Sequence, residues 1–403
     1  MLATSDLRDV LPLQEMVEKA TGVKLRFTFG GTMESTEAVL TGNAKADAAW
    51  FKGYKLPGDN STYLSEQFIA QQGTRVNAFI NYESWLLSLN ASGKLREKLR
   101  LIYPHEGVST ADYPFMLLDE ARRADYLKVV EYLKSETAQL WLARQTLRRP
   151  IKPELTAQLS DLLPKEGMHV ELPFSPDRAL ADGLIAAYLN EFRLPIASTF
   201  VLDTSGSMEG GGRRAQLVQA IHYIAGADAS LTGRIAKLSN REKRGMQPFS
   251  ETPYGLTAFT VPAGTAAQRG VELQADSDAK QQVLAEVRNF ADGLQMKGGT
   301  ALYDAVYQAL TQMLEERKRN PKYQYSVVAF TDGENNKGRD LARFKQDYAA
   351  LPEDVRGIPV FMVLFGEANP AALNDLVATT GGKVFDARRT PLYSVFKDIR
   401  AYQ

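Results

Sequence analysis

The sequence predicts an α/β protein in two domains: a C-terminal doubly wound, Rossmann-like domain and an N-terminal domain built on the same strand–helix alternation. Three observations predict it. At 403 residues the chain exceeds what one hydrophobic core organises, so two domains are expected. Residues 325–330 and 358–365 are almost continuously apolar, as central parallel strands covered on both faces are. Between such runs, apolar residues fall at helical spacing, as at Leu302, Ala305, Val306, Ala309, Leu310 and Met313.

Taken in order, the first 50 residues read as βαβ: a short start, a helix over 11–21, a strand over 23–29, a helix over 34–40 and a strand over 46–51. Gly53, Pro57 and Gly58 mark residues 52–60 as a loop. A helix over 63–70, a strand over 76–80, a helix over 84–89 and a strand-like run over 99–103 follow. Tyr126, Val129, Val130, Leu133 and Leu140 give residues 120–145 helical spacing, and the first domain ends near there. Five prolines, Pro150, Pro153, Pro164, Pro173 and Pro176, punctuate a connector that leads into an apolar helix over 178–192. The expected division is a first domain over 1–175, a connector helix over 176–194 and a second domain over 195–403. In the second domain we expect a strand over 199–202, a helix over 215–225 and two strands within 234–261. Val283, Val287, Phe290 and Leu294 mark a further helix ahead of the one at 302.

Composition narrows the function. Lys plus Arg and Asp plus Glu are 48 each, so no net field draws the chain to nucleic acid, and none is expected as a partner. The absence of cysteine removes disulfides, thiolate metal sites and thiol nucleophiles. No run approaches the roughly 18 apolar residues that cross a bilayer, so membrane attachment is expected only through a segment outside this sequence.

Three segments carry the chemistry. Asp203-Thr204-Ser205-Gly206-Ser207-Met208 puts a carboxylate at a strand end and two hydroxyls on the turn after it. Gly298-Gly299-Thr300 offers a hydroxyl at a helix start, and Thr331-Asp332-Gly333 ends an apolar strand in a second carboxylate. Ligands of open α/β sheets gather at the carboxyl ends of strands. Two carboxylates with three hydroxyls make an all-oxygen set suited to a hard cation, Mg²⁺ first, with Mn²⁺ or Ca²⁺ as alternatives. Each segment alone reads as a helix N-cap. Glu334, Asn335 and Asn336 are expected as loop residues, and Asp304 as a first-turn acid of its helix.

A phosphotransferase is the rival class. It is disfavoured because position 205 is Ser where an aspartyl-nucleophile motif would have Asp, and because no Gly-x-x-x-x-Gly-Lys occurs. His105, His169 and His222 stand apart from one another, and Gly210-Gly211-Gly212 behind Glu209 reads as a turn.

In this order the three segments resemble the metal-ion-dependent adhesion site of von Willebrand factor A domains. The resemblance implies that Ser205, Ser207 and Thr300 coordinate the metal directly, and Asp203 and Asp332 directly or through water. It also implies a coordination position left for an acidic group of a protein partner. Residues 23–31, 46–51, 76–90 and 103–114 resemble the bacterial family that joins a solute-binding-protein-like module to a C-terminal A domain. Such proteins are exported and held at the cell envelope. Between Phe51 and Tyr63 the chain has a short loop where that family has much of a second lobe, so the first domain is expected to be a shortened one. Ser5, Thr32 and Ser35 lie near helix starts, where capping is favoured over anion binding. The expected function is a non-enzymatic, cation-dependent adhesion module that accepts Asp or Glu from a protein partner. The alternative is a small-solute sensor coupled to the A domain.

Overall fold

The structure, a computed structural model, describes residues 1–51, 61–74, 76–164, 170–172, 177–264, 276–333, 335–365, 370–388, 395–396 and 399–400. The chain divides into two compact units, Met1–Pro176 and Asp177–Gln403.

The first unit holds strands β1 (Leu2–Thr4), β2 (Thr28–Gly30), β3 (Ala48–Trp50) and β4 (Phe115–Leu117) in the order β2-β1-β3-β4. The first three are parallel, and β4 runs antiparallel to β3. Helices α1 (Leu13–Thr21), α2 (Thr32–Leu40), α3 (Ser61–Gln71), α4 (Glu83–Ala91), α5 (Arg123–Leu133) and α6 (Glu136–Thr146) complete it. Leu13 and Val17, one turn apart on α1, enter a core with Ala3, Leu7, Trp50 and Val129.

Several expected strands are absent from this unit. Of the 23–29 segment only Thr28 and Phe29 are strand, at the start of β2; side chains take the polar backbone before it, with Gln14 Nε2 donating to Leu25 O at 2.9 Å. The 76–80 strand does not form: Val76 makes a lone bridge to Gln72, and Ile80 is 94% exposed, so nothing covers its apolar face. Residues 99–103 are irregular because the Asn90 amide takes both polar groups of Leu99, at 2.6 and 3.0 Å. The proline-marked connector is partly ordered as a 3-10 turn, Pro153–Leu159, whose Leu159 packs with Leu163 and Ala143. The expected loop at 52–60 and the residues His169, Pro173 and Pro176 lie outside the described residues.

The second unit contains β5 (Ile196–Asp203), β6 (Lys243–Phe249), β7 (Thr257–Thr260), β8 (Gln324–Thr331), β9 (Val360–Leu364) and β10 (Val384–Asp386). They form one sheet in the order β10-β9-β8-β5-β6-β7, parallel except for β7. Helices α7 (Arg178–Ala187), α8 (Arg213–His222), α9 (Leu231–Ala236), α10 (Asp278–Asp292) and α11 (Leu302–Arg319) are joined by α12 (Leu341–Ala349), α13 (Glu353–Arg356) and α14 (Pro370–Thr380).

This is the doubly wound α/β arrangement that the apolar runs predict. Every residue of β5 is buried, as in a central parallel strand covered on both faces. Ala197 and Val201 face a core with Leu302, Val306 and Met313 of α11. Phe200 turns the other way, against Phe330 and Phe396, with ring centroids 5.1 and 5.8 Å from its own. The chain leaves β5 for β6 on one side and returns to β8 on the other. The strand order therefore reverses between β5 and β8, and the crevice lies at their carboxyl ends. Among the described residues no helix is long and apolar enough to cross a membrane.

Candidate metal centre

Register builds the site. Leu202 pairs with Phe330, so Asp203 and the Thr331–Asp332 pair emerge side by side at the end of adjacent strands. The Asp203 carboxylate is fully buried and held at both oxygens: Oδ1 accepts from the Ser205 amide at 2.8 Å and Oδ2 from the Thr331 hydroxyl at 2.6 Å. Burial raises its carboxyl to about 6, against the hydrogen bonds from Ser205 and Thr331 that pull it down. A carboxylate so placed gains from any cation brought near it.

The hydroxyls converge on the same place. Ser205 Oγ and Ser207 Oγ are 3.0 Å apart, and Ser207 donates to Asp332 Oδ1 at 2.8 Å. A Cβ placed on Gly333 would sit 3.9 Å from both Ser207 Oγ and Thr300 Oγ1, which puts those two oxygens around one point. The structure thus brings together all five residues singled out in the sequence, drawn from three separate segments.

Capping does not account for them. Ser205 is the N-cap of the 3-10 turn Gly206–Gly212 but makes no side-chain cap bond, and α11 starts behind Ala301 with no side-chain cap. The same holds in the first unit, where capping was expected at Ser5, Thr32 and Ser35. The N-cap positions are Thr4 and Gly31, neither with a side-chain cap bond: Gly31 has no side chain, and Ser35 is already four residues into the helix region.

Backbone hydrogen bonds stitch the three loops. Gly206 N donates to Gly298 O at 3.0 Å and Lys297 N to Thr204 O at 2.7 Å. Asn336 and Lys337 both donate to Thr300 O, while the Asn336 side chain accepts from Thr300 N at 2.9 Å. That double clamp needs Gly299: a Cβ there would meet Asn336 Oδ1 and Lys337 Cγ at 2.8 Å. Asn335 accepts from Tyr303 N at 3.3 Å. These two asparagines, expected as loop residues, hold the Thr300 segment in place. Asp304 is in the first turn of α11 as expected, and also pairs with Arg339. Glu334 lies outside the described residues.

Arg213 is the residue that sequence reasoning missed. Its Nη1 donates to Asp332 Oδ2 at 2.8 Å and to Ser207 O at 3.0 Å. Nothing in the motif points to it, because its approach depends on the path of the chain through Gly210 to Gly212. Of the histidines, His105 is exposed, and His222 Nε2 sits 2.9 Å from Asp292 Oδ1.

The donor chemistry fits a hard divalent cation. Two carboxylates and three hydroxyls form an all-oxygen donor set of the kind a hard divalent cation takes. Asp203, Ser205, Ser207, Thr300 and Asp332 are the residues that would hold it.

An open α/β sheet with an oxygen cage at its switch point defines the class of the second unit. That unit is a von Willebrand factor type A domain, whose family model matches residues 199–397. Solved structures similar to the chain include proximal thread matrix protein 1 from the mussel byssus, at 15% identity over 51% of this chain and 45% of that one, with a TM-score of 0.33. The pilus adhesin SpaC from Lactobacillus rhamnosus GG is 13% identical over 53% of this chain and 31% of that one, with a TM-score of 0.36. Manganese-loaded Plasmodium vivax TRAP protein is 17% identical over 50% of this chain and 73% of that one, at 0.34. The chain spans less than half the length of the first two. No curated protein sequence matches it.

Proposed function

We propose that this protein is a divalent-cation-dependent, non-enzymatic protein-binding and adhesion module of the bacterial cell envelope, whose A domain grips an Asp or Glu side chain of a partner. The observation that carries the reading is the meeting of three hydroxyls and two carboxylates at the carboxyl ends of β5 and β8. When bound, Mg²⁺ would supply the attraction for the incoming carboxylate. The chain's own residues do the rest. Thr331 and the Ser205 amide orient Asp203, Asn336 fixes Thr300, and the neutral hydroxyls leave the cation electron-poor towards a further acidic ligand. The envelope location rests on the resemblance of most of the chain to exported two-domain proteins.

Capture of envelope proteins by the full chain, with Mg²⁺ or with EDTA, tests the proposal. The expected result is capture that EDTA and Asp203→Ala each abolish while circular dichroism is unchanged. Equal capture in all three conditions contradicts it, and Mg²⁺-dependent turnover of a generic phosphate ester would favour an enzyme instead.

One observation supports small-solute sensing by the first unit as a second reading. Thr4 Oγ1, at the carboxyl end of β1, is buried and without a hydrogen-bond partner among the described residues, close in sequence register to the uncapped start of α2. That reading predicts a saturable thermal shift with a polar solute that survives Asp203→Ala.

A further inference from the structure

Among the described residues, Asp332 is the member of the oxygen cage that has a cationic partner. Its side chain is completely buried, and its two oxygens are divided between Ser207, at 2.8 Å, and the guanidinium of Arg213, at 2.8 Å. The same Nη1 also donates to Ser207 O, so one nitrogen grips both the carboxylate and the backbone of a hydroxyl ligand. Arg213 itself is 23% exposed and stands at the mouth of the site. Its Nε and Nη2 make no hydrogen bond among the described residues.

The backbone before it is shaped for this placement. Gly211 (φ +62) and Gly212 (φ +74) are consecutive left-handed residues, and Gly212 is the N-cap of α8. They swing the chain so that the first residue of α8 returns over Ser207. Two L-residues there would each be strained. A basic residue at a helix N-terminus is moreover the wrong charge for the helix dipole, so Arg213 is placed at some electrostatic cost to α8 itself.

We propose that Arg213 is a tethered counter-cation: it neutralises Asp332 and so holds the divalent-cation affinity of the site below what the five oxygens would give alone. The proposal rests on the metal-site reading above. A guanidinium and a divalent ion brought to the same buried carboxylate repel each other, and each weakens the hold of the other. The consequence is a site tuned to respond to changes in cation concentration, rather than one filled under all conditions. With Asp332 neutralised, the bound cation also keeps more of its charge for an acidic partner.

Calorimetric titration of the full chain with Mg²⁺, and with Mn²⁺, tests this. The series is the wild type, Arg213→Gln, Arg213→Lys, Asp332→Asn and the double variant Arg213→Gln/Asp332→Asn. Arg213→Gln is expected to bind about tenfold tighter than wild type, equivalent to about 1.4 kcal/mol. Arg213→Lys, which keeps the charge, is expected to stay within about threefold of wild type. Because the effect runs through Asp332, Arg213→Gln should change affinity by less than about threefold in the Asp332→Asn background. Wild-type-like or weaker binding by Arg213→Gln overturns the proposal and leaves the metal reading standing. So does a full tenfold gain in the Asp332→Asn background, which would make the effect a field rather than a tether. If neither the wild type nor Arg213→Gln gives heat above that of Asp203→Ala, the metal reading fails and this proposal falls with it. Circular dichroism of each variant separates loss of the site from loss of the fold.

Discussion

The two ends of the second unit's sheet both bury charge, and they do it in opposite ways. At the carboxyl end two carboxylates meet a single guanidinium, which Arg213 gives to Asp332 alone, while Asp203 is held by the Ser205 amide and the Thr331 hydroxyl. At the amino end, Glu242 is shared by two guanidiniums: Arg400 binds it through both nitrogens, at 2.7 and 3.1 Å, and Arg244 adds a bond at 3.2 Å. The first arrangement has oxygens in excess and invites a cation. The second uses every oxygen of its carboxylate and closes. The same sheet can therefore hold a structural ion cluster and a ligand site, and the difference lies in which partner is left over.

The largest expected effect breaks the closed end. Glu242→Gln leaves two buried guanidiniums without their carboxylate and should cost about 3–5 kcal/mol in chemical denaturation. A loss under about 1 kcal/mol would mean that the cluster is held by something else. The same residue gives a pH signature. Burial alone would raise the Glu242 carboxyl, but Arg400 and then Arg244 outweigh it and hold it below its ordinary 4.5. A depressed carboxyl contributes stability above pH 4.5, and that stability is lost as pH falls through the lower folded value. Acid unfolding of the wild type should therefore steepen below about pH 4.5, and Glu242→Gln should flatten that limb.

Gly299→Ala is next in size and strikes the open end. The new methyl would press on Asn336 and Lys337, so a loss of about 1–3 kcal/mol is expected, with weaker metal binding as Thr300 is displaced. Retained affinity would show that the Thr300 clamp is looser than described. Arg244→Met should matter least. Arg244 lies 4.4 Å over the Phe200 ring, its Nε and Nη1 have no hydrogen-bond partner among the described residues, and burial lowers it to about 10. With Glu242 still paired to Arg400, an apolar side chain of similar length should change stability by no more than about 1 kcal/mol, in either direction. A loss above 3 kcal/mol would make Arg244 an equal member of the cluster.

The contrast between regions extends to what the amino-acid sequence reveals. In the second unit β5, β8 and β9 are buried along nearly their whole length and carry runs of apolar residues, so their position could be read directly. That Asp203, Ser205, Ser207 and Asp332 come together could be read too, because their segments follow the paired strands β5 and β8, whereas Thr300 reaches them on the loop before α11. In the first unit the strands are three residues each, too short to carry a period. There, side chains such as Asn90 decide whether a stretch pairs, and that decision depends on residues far from it. Arg213 was illegible for a related reason: its role arises from two left-handed glycines that turn an ordinary basic residue onto Asp332.

The claim on which all of this depends is that the hydroxyls act as cation ligands. Thr300→Val tests it most directly, since the side chain keeps its shape and loses only the oxygen. In Mg²⁺ titration calorimetry the wild type should bind one ion, and Thr300→Val should bind at least about tenfold more weakly, a loss of about 1.4 kcal/mol, with metal-free thermal stability unchanged. Equal affinity in the two proteins, or no binding to either, would contradict the account.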